Sequence, residues 1–191
     1  VSAAPQGLDT NALLAANLQL KDMLSGTLTG DLSITTSGTS RDAALANARG
    51  SGQVRIDNGH AGAINVLKVL SRAGDVLGER SLKEVSGKLA KQGTDFSLLS
   101  AELRVDGGKI ASNSLRMASP DFELKDEGTL DMMAGTIHVA GQIIFSEALS
   151  QAMAQEKSRA VDYFWDDRRG RVNLPLTLSG PVASPTPGID W

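Results

Sequence analysis

The sequence predicts an α+β fold: a curled, mainly antiparallel β-sheet running as a meander, with a few helices packed at its face or ends. Three observations carry this. From Leu99 to Ser179 aliphatic and polar residues alternate with period 2 over most of the length, the pattern of strands with one apolar and one polar face. Glycine supplies 20 of 191 residues, above the ~7% of ordinary soluble proteins, as frequent tight turns require. Only a few segments carry helical spacing, and each is bounded by capping or breaking residues.

Taken in order, Leu8, Leu13, Leu14, Leu18, Leu20 and Leu24 lie among Ala and Asn and predict a short helix over about 10–16, then a strand-like stretch. Leu28, Gly30, Leu32 and Ile34 alternate with Thr27, Thr29, Asp31, Ser33 and Thr35 as a clear strand, closed by Gly38. Thr39 or Ser40 then caps a small Ala-rich helix over 41–48, ended by Gly50. A strand over 52–57 turns Val54 and Ile56 inward, and Asp57-Asn58-Gly59 reads as a turn. Ile64 to Leu70 is apolar nearly all round, a buried helix with Gly74 as its stop. Residues 81–90 fit either a helix or an irregular connection.

The β pattern then dominates. Leu99, Ala101, Leu103 and Val105 face one way, Ser100, Glu102, Arg104 and Asp106 the other, and Asp106-Gly107-Gly108 is a hairpin turn. Leu115/Met117, Phe122/Leu124, Leu130/Met132 and Ile137/Val139/Ile143 continue the meander, with connections at 119–121, 127–128 and 134–135. A helix over about 146–165 interrupts it, with Leu149, Met153, Ala160 and Phe164 on one face. The last strand, 171–179, turns Val172, Leu174, Leu176 and Leu178 inward, and Pro175 places it at an edge or a bulge. A sheet apolar on one face must be covered by helix, by a second sheet or by something that is not protein.

The 191 residues fit one domain with one sizeable core. Lys and Arg number 19 against 22 Asp and Glu, a net charge of −3. No broad basic surface invites nucleic acid, and 4% aromatic residues do not make base-stacking platforms. The absence of Cys excludes disulfides, thiolate chemistry and Cys-built zinc sites. No apolar run approaches the ~18–20 residues of a membrane span.

Catalytic signatures are sparse. His60 and His138 are far apart, and no G-x-S-x-G, H-E-x-x-H or Walker A string occurs. Gly50-Ser51-Gly52-Gln53-Val54-Arg55 has Arg55 where a dinucleotide fingerprint needs its third glycine, and it opens a strand. The carboxylate pairs Asp121/Glu123, Asp126/Glu127 and Asp166/Asp167 are read as solvated, the last as a local ion cluster with Arg168 and Arg169. Tyr163-Phe164-Trp165 fits either a lipid-interface anchor or a helix end closing the sheet's mouth. Catalytic, cofactor-binding and metal-ligating residues are therefore expected to be absent.

In their order and spacing, several of these strings resemble the C-terminal domain of the bacterial AsmA family. They are Gly52 to Gly59 followed by Gly62 to Leu70, Phe96 to Leu103 followed by Asp106-Gly107-Gly108-Lys109-Ile110, Leu115 to Phe122, Gly128 to Asp131, and Leu174 to Pro185. The resemblance spans about residues 25–187. Residues 146–171 depart from it, with a helix and Asp166-Asp167-Arg168-Arg169 where a short loop is expected, and are read as a helical insertion.

The resemblance implies a single AsmA-like C-terminal domain: a non-enzymatic, periplasmic module of a protein anchored in the bacterial inner membrane through a segment outside these residues. Its implied role is outer-membrane and phospholipid homeostasis, without cofactor. Its implied partners are a phospholipid or other acyl-chain lipid, sheltered along an apolar β-groove, and other envelope proteins. Leu99, Leu103, Val105, Ile137, Val139, Ile143, Leu174, Leu176 and Leu178 are the expected lipid-facing residues. The alternative is a closed structural or adaptor domain in envelope assembly, its sheet capped by the helices at 64–73 and 146–165. Helical coverage of the apolar face separates the two.

Overall fold

Seven long strands make the frame. A computed structural model describes residues 2–3, 6–9, 24–62, 64–72, 77–157, 159–182 and 184–189, by backbone alone for 2–3, 6–9, 72, 159 and 160. In chain order the elements are β1 (Ser2–Ala3), β2 (Gln6–Asp9), β3 (Leu24–Thr35), α1 (Arg41–Ala46), β4 (Arg49–Ala61), α2 (Val66–Arg72), α3 (Glu79–Glu84), α4 (Ser86–Leu89) and β5 (Thr94–Asp106). There follow β6 (Lys109–Ala118), β7 (Phe122–Asp131), β8 (Thr136–Phe145), α5 (Glu147–Gln155), α6 (Arg159–Phe164), β9 (Trp165–Asp166), β10 (Arg171–Pro181) and β11 (Thr186–Ile189). One antiparallel sheet runs β1-β3-β4-β5-β6-β7-β8-β10-β11, with β2 also on β3 and β9 also on β10. This is the α+β meander the alternation predicts.

Local chemistry explains the turns. Gly107 and Gly108 both take positive φ, 59° and 80°, as a two-residue hairpin matched to strand twist requires. Between β7 and β8, Asp131 Oδ1 accepts from the N–H groups of Met133 and Ala134 at 3.0 and 2.9 Å. Ser40 caps α1 and Ser146 caps α5 through their hydroxyls.

Several boundaries differ from expectation. Asp57-Asn58-Gly59 lies inside β4, where Asn58 takes φ 51° and pairing with β5 continues on both sides. A Cβ on Gly59 would strike the Phe96 ring, so that glycine makes room for a core aromatic. Gly50 is a strand residue, because Asn47 already ends α1. Residues 127–128 are no connection: β7 runs through them, merging two expected strands. Residues 81–90 are helical, as α3 and α4. The helix over 146–165 is two helices, with Lys157 at φ 53° after the first. The helix expected over 10–16 lies outside the described residues. Pro175 pairs with Gln142 on β8 without a bulge and lies between the stretches of β10 that pair with β9 and β11, so on that side the strand is locally an edge.

Side chains fall into four inward rows across the sheet. The first is Leu28, Ile56, Leu99, Met117, Leu124, Ile143 and Leu174. The second holds Gly30, Val54 and Ala101 on one side of a bulge at 113–114, and Leu115, Asp126, Gly141, Leu176 and Ile189 on the other. The third runs from Leu32, Gly52 and Leu103 to Ser112, Gly128, Val139 and Leu178. The fourth is Ile34, Gly50, Val105, Ile110, Leu130, Ile137 and Gly180.

Helices roof one end of this face. Val66, Leu67 and Leu70 of α2, with Leu77, Val85, Leu149 and Met153, form one core with Phe122, Leu124, Ile143, Phe145, Val172 and Leu174. A smaller core joins Leu28, Ile56 and Phe96. Buried hydrogen bonds fix the roof. Thr94 Oγ1 accepts from Val66 N at 3.0 Å and donates to the Ile64 carbonyl at 2.6 Å, seating the start of α2. Ser150 Oγ accepts from Val172 N at 3.0 Å, tying α5 to β10. Ser81 donates through its N–H and its hydroxyl to Glu156 Oε1, so the end of α5 caps α3.

Candidate functional site

Strand alternation and register bring all nine expected lipid-facing residues onto one face. Leu99, Ile143 and Leu174 lie in the first row, Leu176 in the second, Leu103, Val139 and Leu178 in the third, and Val105 and Ile137 in the fourth. Their surroundings differ. Val105, Val139, Ile143, Leu174, Leu176 and Leu178 are buried within the chain itself, whereas Leu99, Leu103 and Ile137 are half-buried. Both helices named as possible caps pack over the first row on β7, β8 and β10, where Ile143 and Leu174 are fully buried; on β3, β4 and β5 that row belongs to the smaller core. Over that end the apolar face is a closed core.

The other end differs. Leu32, Ile34, Leu103, Ile110 and Leu130 are half-buried and belong to neither core. With Ile137 beside Leu130 they form an aliphatic patch spanning β3 to β8. Gly50 and Gly52 lie within it, and a Cβ on either would strike the β3 backbone, so side-chain-free positions let the two strands approach closely here.

At the border between core and patch stands Asp126. It faces Leu115 on β6 and Gly141 on β8 and is only 7% exposed. The N–H of Gln142 donates to its carboxyl, while Oδ1 has no partner. Burial pushes its pKa up to about 6, against the lowering effect of that one hydrogen bond. The solvated reading of Asp126 is therefore overturned. Its sequence signal was its phase: Asp126 shares the inward parity of Phe122 and Leu124, whereas Glu127 is exposed. Asp121 is also less solvated than expected, its carboxyl accepting from Lys88 Nζ at 2.7 Å and only 15% exposed. Asp167 is exposed, and Asp166 Oδ1 accepts from the N–H groups of Arg168 and Arg169, a local cluster as expected.

The opposite face is polar and holds shallow clefts that the sequence did not announce. One, of about 560 Å³, is bordered by Glu102, Arg104, Asn113, Glu127, Thr129 and His138. His138 Nδ1 lies 2.9 Å from Ser179 Oγ on this exposed face. His60 pairs with Asp95, whose carboxyl is held below its ordinary range by hydrogen bonds from His60 and then Lys91. Among the described residues no three His, Asp or Glu side chains gather to hold a metal ion, and no helix is long and apolar enough to cross a membrane. Tyr163 is exposed, while Phe164 and Trp165 pack against the main core, so this aromatic cluster in part closes the roof.

No family model, no curated protein and no solved structure matches this chain.

Proposed function

We propose that the chain is a non-enzymatic periplasmic module of an AsmA-like inner-membrane protein, engaged in outer-membrane and phospholipid homeostasis, and that it shelters acyl chains along its apolar face. The observation that supports this reading is the aliphatic patch formed by Leu32, Ile34, Leu103, Ile110 and Leu130, half-buried and outside both cores, which meets the rim of the main core at Ile137. A contiguous apolar surface outside the cores of a folded domain marks a binding surface more often than chance exposure does. The roofed end supports a second reading, a structural or adaptor domain acting on envelope proteins, since there the helices already satisfy the sheet. The two readings part on what occupies the patch.

Mass spectrometry of organic extracts from protein purified without detergent tests this. Acyl lipid should co-purify with the parent chain and be lost from Ile137→Asp, provided the variant keeps the parent's circular dichroism. Extracts free of acyl lipid from both proteins would favour the adaptor reading.

A further inference from the structure

The four inward rows contain one ionisable side chain, Asp126. Among the described residues nothing charged faces it. Arg116 on β6, Lys125 and Glu127 on β7, and His138 on β8 lie on the opposite side of the sheet, as does Arg171 on β10. In the helical layer Lys68, Glu79, Arg80, Lys83, Glu84, Lys88 and Glu147 are exposed, and Glu156 is engaged with Ser81. The inward neighbours of Asp126 are Leu115, Leu124, Gly128, Gly141 and, beyond Gly141, Leu176. An ionised carboxyl in such surroundings depends on whatever water still lies close by, since neither a cation nor a second donor compensates it. On β6 and β7 the row between Asp126 and the patch carries only Ser112 and Gly128, so water over Ile110 and Leu130, two rows away, meets no large side chain before the carboxyl.

We propose that Asp126 couples occupancy of the patch to proton uptake: an acyl chain laid along Leu103, Ile110, Leu130 and Ile137 excludes the water that stabilises the ionised carboxyl, so the occupied face holds Asp126 protonated. The proposal rests on the acyl-sheltering reading and adds its regulation. The direction follows from linkage. Burial has already raised the Asp126 pKa to about 6, and further dehydration raises it more. Binding then takes up protons, and affinity rises as pH falls through this range. A further rise of one unit on binding corresponds to about a tenfold change in affinity.

The test is a fluorescence titration of the whole chain with N-phenyl-1-naphthylamine, an apolar probe that stays uncharged over the range used. Parent and Asp126→Asn are compared at about pH 5 and about pH 7.5. The parent should bind roughly tenfold more tightly at the lower pH. Asp126→Asn should bind tightly at both. Calorimetry near the midpoint, in two buffers of different ionisation enthalpy, should register proton uptake by the parent and none by the variant. Equal parent affinity at both pH values overturns the coupling alone and leaves the acyl-sheltering reading standing. A pH dependence that survives in the variant likewise overturns it and assigns the titration to another group. Failure of both proteins to bind the probe at either pH overturns the coupling and the acyl-sheltering reading together.

Discussion

Asp126 and Gly141 face each other across β7 and β8, and the Asp126 carboxyl occupies the space a side chain at position 141 would fill. A Cβ there would strike Asp126 Oδ1 and also stand 2.5 Å from the Lys125 carbonyl. Gly141→Ala should therefore destabilise the protein by ~1–3 kcal/mol, the usual cost of overpacking. Adding Asp126→Ala should recover only part of this, because the backbone contact remains. Urea denaturation of the two single variants and the double variant checks both statements.

The same carboxyl sets a pH dependence of known sign. Its folded pKa is raised, so the folded state binds more protons than the unfolded chain between about pH 4 and 6. Stability should fall as pH rises through that window and then level off. A displacement of this size corresponds to at most ~3 kcal/mol, and residual solvent screening brings the expected loss to ~1–2 kcal/mol. Asp126→Asn should abolish this decline. Asp95 and Asp131 act oppositely: their pKa values are lowered, so what they contribute is present at neutral pH and lost in stronger acid. Denaturation curves from pH 3 to 8 separate the two effects.

Ser150 is fully buried and is the acceptor for the Val172 N–H. Ser150→Ala leaves that N–H unpaired in a dry core and should cost ~1–3 kcal/mol. The loss should appear as a lowered midpoint at unchanged denaturant dependence.

Leu176 is 3% exposed and lies in the inward row beside Gly141, with Asp126 on the strand beyond. Leu176→Asp puts a second carboxylate near an uncompensated one and should cost more than the ~1.5–3 kcal/mol of lost burial. Leu176→Lys should be milder, since the glycine between leaves a path across two strand spacings of about 4.8 Å each. Asp167→Asn, on an exposed turn, should stay within roughly 0.5 kcal/mol. Thermal melts order the three variants.

Much of the sheet was legible because alternation is a local signal. Leu99 to Val105 and Val172 to Leu178 display their inward faces without reference to any partner. Gly107 and Gly108 announce their turn in the same way. Failures arose where a residue type had two uses. Asn58 and Gly59 have turn chemistry, yet here they bend a continuous strand and admit Phe96, a demand visible only once β5 lies alongside. Gly128 has the same two uses: its residue type suggests a break, yet it sits inside β7. The strands β1, β2 and β11 are two to four residues long, too short for any period to declare itself. For the site, phase alone placed nine aliphatic residues on one face, but coverage by α2 and α5 is a tertiary property that no strand encodes. Asp126 is hard to recognise from sequence because carboxylates are rarely buried, a base rate that outweighs the inward phase of its strand.

The most direct test of the acyl-sheltering account is site-specific photo-crosslinking in a Gram-negative host, with the photoreactive residue at Ile137, on the apolar patch, or at Glu102, on the polar face. The account predicts phospholipid captured at Ile137 and little at Glu102, read by mass spectrometry of the crosslinked peptide. Equal capture at both positions, or none at Ile137, would contradict it.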